Sequence, residues 1–138
     1  MAPAQILFFL DSEDILAIHE RLMKDQEENT RGLLSPQNLD MCVKSPNHRM
    51  FGIEPYDDLI KKGAKLAFEI VCLHPFVDGN KRTALSGLSI FLEMNGYSLI
   101  VPSRTAVHVM VEVAKGSADF ESFLIFVKEH TTAKEPLQ

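Results

Sequence analysis

The chain is short of cysteine, of positive charge and of long apolar runs, and each shortage closes off a class of function. Its two cysteines, Cys42 and Cys72, stand alone in apolar helical patterns. That is the usual setting of a thiol that behaves as a small buried hydrophobe. No Cys/His spacing suits a metal, so a zinc site is not expected. Acidic residues outnumber basic ones, 19 to 14, for a net charge of −5 and a pI near 5.5. A protein that grips nucleic acid without sequence preference needs a basic face for the phosphates. The acid excess argues against that role, although a local basic spot can still hold one nucleotide. The apolar run at residues 6–10 is too short for a signal core or a membrane span, and the opening Met1-Ala-Pro-Ala carries no basic stretch. The expected setting is the reducing cytoplasm, away from membranes.

What is present reads as one globular domain. At 138 residues the chain can bury a real core. Its 46% hydrophobic and 24% charged composition is ordinary for such a domain. Residues 5–10 suit a short strand or an extended lead-in. Asp11 or Ser12 then caps a first helix, with Ile15, Ile18, His19, Leu22 and Met23 at helical spacing. The charged run 24–31 closes that helix on a solvated surface. Ser35-Pro36 opens a second helix and Ser45-Pro46 ends it. Residues 46–54 carry turn chemistry and read as a loop or small β-hairpin. A long helix is expected from Pro55 to about Leu73, and another from Lys81 to Asn95 with Gly96 as its stop. Residues 97–101 are a strand candidate. Ser103 is placed to cap a helix over 104–115 that ends at Gly116. Phe120, Phe123, Leu124 and Val127 mark a last helix, and 131–138 read as a flexible tail. The expected fold class is all-α: five or six helices around the 55–95 pair, with the core in about 6–130.

The loop between the two central helices concentrates chemistry. His74, Asp78, Asn80, Lys81 and Arg82 fall within nine residues, on a loop held by two apolar helices, where function gathers. Gly79 permits close backbone approach. The helix that follows presents free N–H groups, a ready anion site. Lys81 and Arg82 add positive charge at the end of a helix where cations destabilise. A bound polyanion gives them a purpose. Asp78 suits Mg²⁺, which favours oxygen ligands and bridges to phosphates, and His74 can accept a proton near neutral pH. A base, a metal ligand and a phosphate cradle describe phosphoryl or nucleotidyl transfer. In the structural alternative, Asp78 pairs with Arg82 across the turn and His74 merely caps a helix.

The string His74-Pro75-Phe76-Val77-Asp78-Gly79-Asn80-Lys81-Arg82 resembles the signature of the Fic/Doc family, His-Pro-Phe-x-Asp/Glu-Gly-Asn-Gly/Lys-Arg. The likeness extends to residues 11–20, 31–46 and 91–97, and covers about 6–130. It implies a Fic/Doc-like bundle with the motif loop between two central helices. It implies that His74 deprotonates a target hydroxyl, that Asp78 binds Mg²⁺, that Gly79 and Asn80 shape an anion hole with Lys81 beside it, and that Arg82 grips phosphate of ATP. It gives Phe76 a structural role, anchoring the loop in the core.

Two positions separate branches of that family. AMP-transferring members usually have glycine where Lys81 stands and a second arginine where Leu85 stands. This chain is closer to the Doc (death-on-curing) toxins, which resemble kinases acting on a translation elongation factor, elongation factor Tu. Without that glycine there is less room for the inner phosphates. Without the second arginine nothing holds the γ-phosphate at the far end, so ATP can lie reversed with its γ-phosphate beside His74. The expectation is therefore γ-phosphate transfer to a Ser/Thr hydroxyl of a target protein. AMP transfer is the alternative, and an idle binding module with this fold is the option from another class.

The remaining candidates carry less. His19 faces inward on the first helix and reads as a satisfied core or interface histidine in preference to a catalytic one. His48, Arg49 and Met50 sit where the family has a flap that docks an extended target segment by strand addition; an exposed polar turn explains them equally. His108 and His130 read as helix-surface residues. Self-inhibiting family members carry Ser/Thr-x-x-x-Glu-Gly/Asn. Here Thr131-Thr-Ala-Lys-Glu135 is followed by Pro136, so the match reads as coincidence and any inhibitor as a separate antitoxin protein.

Overall fold

In the computed structural model, residues 7–48, 56 and 58–134 are described. Six helices form: α1 (Ser12–Met23), α2 (Pro36–Lys44), α3 (Leu59–Leu73), α4 (Asn80–Met94), α5 (Ser103–Lys115) and α6 (Phe120–Glu129). Single 3-10 turns follow at Glu28–Thr30 and Ser45–Asn47. Two short strands, β1 (Tyr97–Leu99) and β2 (Thr131–Ala133), complete the described fold. No helix among the described residues is long and apolar enough to cross a membrane.

Side-chain caps explain most helix starts. Asp11 takes the cap of α1 and forms a reciprocal box with Asp14: Asp14 N–H donates to Asp11 Oδ1 at 2.8 Å, and Asp11 N–H to Asp14 Oδ2 at 2.9 Å. Ser35 Oγ accepts from Asn38 N–H at 3.1 Å ahead of Pro36. Asp58 accepts from Lys61 N–H at 2.7 Å, so α3 starts at Leu59, later than the expected Pro55, which lies outside the described residues. Ser103 is not a cap. Pro102 holds that place without a side-chain bond, and Ser103 is the first residue of α5.

The core sits around α3 and α4, which pack on each other most extensively. Gly63 makes this close approach possible, since a Cβ there would lie 2.8 Å from the Phe91 ring. α1 packs on α4, α2 and α6 on α3, and α5 touches both. Cys42 is buried in that core, with its thiol pushed up to about 12 by burial and secondarily by Glu69. Cys72, also raised by burial, is exposed at the surface.

One peripheral segment departs from expectation, and another takes the lead-in alternative. Residues 7–10 form no strand. Instead Phe8 N–H donates to Asn95 Oδ1 and Asn95 Nδ2 to Phe8 O, both at 2.9 Å, so one side-chain amide stands in for a strand partner. Residues 131–133 are no frayed tail: β2 pairs antiparallel with β1 in the register Tyr97↔Ala133, Ser98↔Thr132, Leu99↔Thr131. Lys134 extends the lock. Its N–H donates to Gly96 O at 2.9 Å, and its ammonium lies 2.6 Å from the Glu93 carboxylate. That ion pair is half exposed and screened by solvent; the backbone ladder is the stronger reason for order. The expected loop or hairpin at 46–54 lies mostly outside the described residues.

Candidate active site

The chain reverses between α3 and α4 through a backbone that is held from three sides. His74 is the C-cap of α3 and takes a left-handed conformation, φ 51°, the only non-glycine with positive φ among the described residues. Such a residue costs about 1–2 kcal/mol relative to ordinary helical backbone, and strain of this kind persists only where the surroundings dictate it. Those surroundings are specific. Asn38 Nδ2, from the first turn of α2, donates to Leu73 O at 2.8 Å. Leu34 N–H and Ser35 N–H donate to Pro75 O at 2.8 and 3.0 Å, and Val77 N–H donates to Gly32 O at 3.0 Å. Phe76 is fully buried, as an anchor must be.

Asn80 ties the loop to itself. Phe76 N–H donates to Asn80 Oδ1 at 3.0 Å and Asn80 Nδ2 donates to Phe76 O at 2.9 Å. This pair fixes which end of the amide is which, so it is Nδ2 that faces His74 Nδ1 at 3.1 Å. Asn80 is buried and its side chain is spent on the loop, not on the open cleft. The His74 ring is exposed to solvent.

Behind the loop stands α1. His19, 3% exposed, places Nε2 2.8 Å from Asp78 O and stacks on Phe76, with ring centroids 3.8 Å apart and planes 6° from parallel. Because a carbonyl only accepts, His19 Nε2 carries the proton. Gly79, φ 82°, is the N-cap of α4. A Cβ there would come within 2.7 Å of Met23 Sδ and 3.4 Å of His19 Nε2, so α1 also leaves no space for a side chain. Gly79 N–H donates to Asp78 Oδ1 at 2.7 Å.

In front of the loop is a cleft of about 370 Å³, lined by Asp78, Gly79, Asn80, Lys81, Arg82 and Leu85, with Val107 and Met110 of α5 opposite. The first turn of α4 has no side-chain cap, so its N–H groups remain available to an anion. Lys81 and Arg82 are exposed, and neither has an ion-pair partner among the described residues. The Asp78–Arg82 pairing considered from the sequence is therefore not formed. The structure thus gathers Asp78, Gly79, Asn80, Lys81 and Arg82 into one cleft, with His74 reached through the Asn80 amide. It does not bring His48 there: that residue lines a separate opening of about 330 Å³ with Lys44, Tyr56, Lys65 and Glu69. Arg49 and Met50 lie outside the described residues.

A model of the Fic/DOC family matches residues 9–92, well over half of the chain. The chain belongs to the Fic/DOC family. Among its relatives is Toxin Doc of Mycolicibacterium smegmatis, 32% identical over 117 residues that cover 83% of this chain and 86% of that protein. The proteins named protein adenylyltransferase fic-1 in Caenorhabditis briggsae and Caenorhabditis elegans are each 24% identical over 88% of this chain, which spans 27% of their length. The Fic/DOC assignment places the motif loop on the expected helical fold.

Sequence reasoning missed several residues of this site. His19 was legible as inward-facing from its spacing with Ile15 and Met23, but not that it meets Asp78. Asn38 gave no signal beyond a polar residue in a first helical turn. Val107 and Met110 read only as part of an apolar stripe.

Proposed function

We propose that this Fic/DOC chain is a protein-modifying transferase that moves the γ-phosphate of ATP to a Ser or Thr hydroxyl of a target protein, with His74 as general base. The observation that carries this reading is the uncapped N-terminus of α4, with Lys81 and Arg82 unpaired among the described residues, in a cleft lined by Asn80, whose amide also meets an exposed His74. The cleft is polarised. Its Asn80–Arg82 end is cationic, and the end formed by Leu85, Val107 and Met110 is apolar. Phosphates belong at the first end and a purine ring at the second. That order puts the terminal phosphate toward Asn80 and therefore toward His74. Lys81 and Leu85 support the same orientation.

The base has one requirement. In the present arrangement Nδ1 accepts from Asn80, so the neutral ring carries its proton on Nε2. A half-turn of the ring, or withdrawal of the Asn80 amide, presents a free lone pair to the hydroxyl. Either forfeits one neutral hydrogen bond worth about 0.5–1.5 kcal/mol. This is small beside the roughly 10²–10⁴-fold that a general base contributes.

Mg²⁺ fits at Asp78 only as an ion shared with the nucleotide. No group of three or more His, Cys, Asp or Glu among the described residues could hold a metal. Asp78 offers one exposed carboxylate at the cleft, with Oδ1 engaged by Gly79 N–H. One carboxylate plus phosphate oxygens is how Mg²⁺ is commonly held, and there it neutralises phosphate charge.

Further elements of the reading are a single Fic/DOC domain, action in the cytoplasm, and neutralisation by a separate antitoxin protein, each suggested by likeness to Toxin Doc. An elongation factor is the first target to try. AMP transfer is the second reading, favoured by the fic-1 adenylyltransferases. Incubating cell extract with the chain and ATP labelled on either phosphate tests the choice. Label arriving from the γ position with ADP released supports the proposal. Label arriving from the α position makes the chain an AMP-transferase, and label from neither moves the idle binding module to first place.

A further inference from the structure

We infer that His19 is a positioning residue of the site: it holds the Asp78 carbonyl back toward α1 and off the cleft, in the one orientation of the Asp78–Gly79 peptide that lets Gly79 N–H hold the Asp78 carboxylate. The inference rests on the phosphate-binding reading of that cleft.

The argument begins with the peptide. A trans peptide unit is planar, so its C=O and N–H point in opposite directions. His19 Nε2, on α1, donates to Asp78 O at 2.8 Å. The carbonyl is thereby drawn toward α1, behind the loop. The N–H of the same unit, that of Gly79, is turned away from α1, where it donates to Asp78 Oδ1 at 2.7 Å. Asp78 and Gly79 both line the cleft. One hydrogen bond from behind thus sets two things in front: the direction of an N–H at the mouth of the anion site, and the orientation of the Asp78 carboxylate that accepts it.

The unit is one that would otherwise turn easily. Gly79 populates both signs of φ at little cost, so the peptide before it can rotate with small movements of its neighbours. A rotated unit would aim the Asp78 carbonyl oxygen, an acceptor with partial negative charge, toward the phosphates. A side chain at Gly79 would not stiffen the turn without strain, because φ is 82° there and its Cβ would have to displace Met23 Sδ, 2.7 Å away. The restraint must come from outside the loop, and His19 is placed to supply it. The ring is held in turn by its stack on Phe76 and by burial to 3%. A buried imidazole must place its N–H on some acceptor; here that acceptor is a carbonyl of the motif loop.

The test uses the full chain. Nitrogen NMR of the wild-type His19 ring is expected to show the Nε2–H tautomer; the Nδ1–H tautomer overturns the inference without any variant. His19→Phe keeps a ring to stack on Phe76 but removes the donor, whereas His19→Gln keeps an N–H near the Nε2 position. The Gly79 amide resonance is expected to move in His19→Phe and to stay near its wild-type position in His19→Gln. Titration with ATP is expected to give affinity weaker by roughly tenfold to a hundredfold in His19→Phe, the scale of one polar contact with a charged group once the Asp78 carbonyl is free to turn toward the phosphates, and largely restored in His19→Gln. Equal ATP affinity in both variants, with an unmoved Gly79 amide, overturns the inference. A wild-type chain that binds no ATP overturns the phosphate reading and the purpose of the lock together, and the amide shift separates that case from a wrong assignment of His19 alone.

Discussion

The left-handed backbone of His74 offers a measurement that separates its proposed catalytic part from its structural one. Replacing His74 by alanine or by glycine removes the ring and the 3.1 Å contact with Asn80 in both cases. The two variants then differ only in backbone. Alanine retains the left-handed penalty at φ 51°, about 1–2 kcal/mol. Glycine escapes it, but its unfolded chain is more disordered by about 0.4–1 kcal/mol. The difference leaves His74→Gly more stable than His74→Ala by about 0.5–1 kcal/mol. For 138 residues, at about 2.1 cal/mol/K of unfolding entropy per residue, this corresponds to a Tm higher by about 2–3.5 °C. Both variants are expected to lose about 10²–10⁴-fold in transfer rate, because both lack the base. Two-state urea unfolding and a label-transfer assay on the same preparations measure the two quantities. His74→Ala as stable as His74→Gly would mean that the left-handed residue is not strained. Wild-type turnover in either folded variant would remove His74 from the chemistry.

Arg82→Ala is expected to weaken ATP binding by about tenfold, at the low end for a charged hydrogen bond because the side chain is exposed; calorimetry that returns the wild-type affinity would count against the anion site at α4. Cys42, with its thiol pushed up to about 12 from 9.0 by burial, stays protonated in the folded chain at a pH where the unfolded chain ionises. The raised value stabilises the fold below pH 9, and that stability is lost as pH rises from 9 toward 12. Cys42→Ala should flatten this alkaline fall, and an unchanged slope between pH 8 and roughly 11 would show that another group causes it. Native alkylation followed by mass analysis should mark exposed Cys72 and spare buried Cys42.

What the sequence by itself determined is local. Helices and most of their ends are written within a few residues. Ile15, His19 and Met23 mark one buried face, and Asp11 and Ser35 each hold the N–H of a residue three further on. The nine residues from His74 to Arg82 carry the Fic/DOC signature in one short stretch, and the family model matches across it.

Only the tertiary structure decided how those side chains are spent. Asn80 looks like a ligand of the anion hole in the sequence, yet its amide closes the loop on Phe76. His19 looks like core and is buried, but only the fold shows that its partner is Asp78 O, 59 residues away. The strand at Thr131–Ala133 is too short and too polar to show an alternating pattern, and it exists because β1 lies beside it. Val107 and Met110 become the far wall of the cleft only because α5 packs on α4. The physical reason is common to all four. Hydrophobic period and capping are properties of neighbours along the chain, whereas a hydrogen bond or a cleft wall depends on which distant backbone arrives opposite, and packing around the α3–α4 pair settles that.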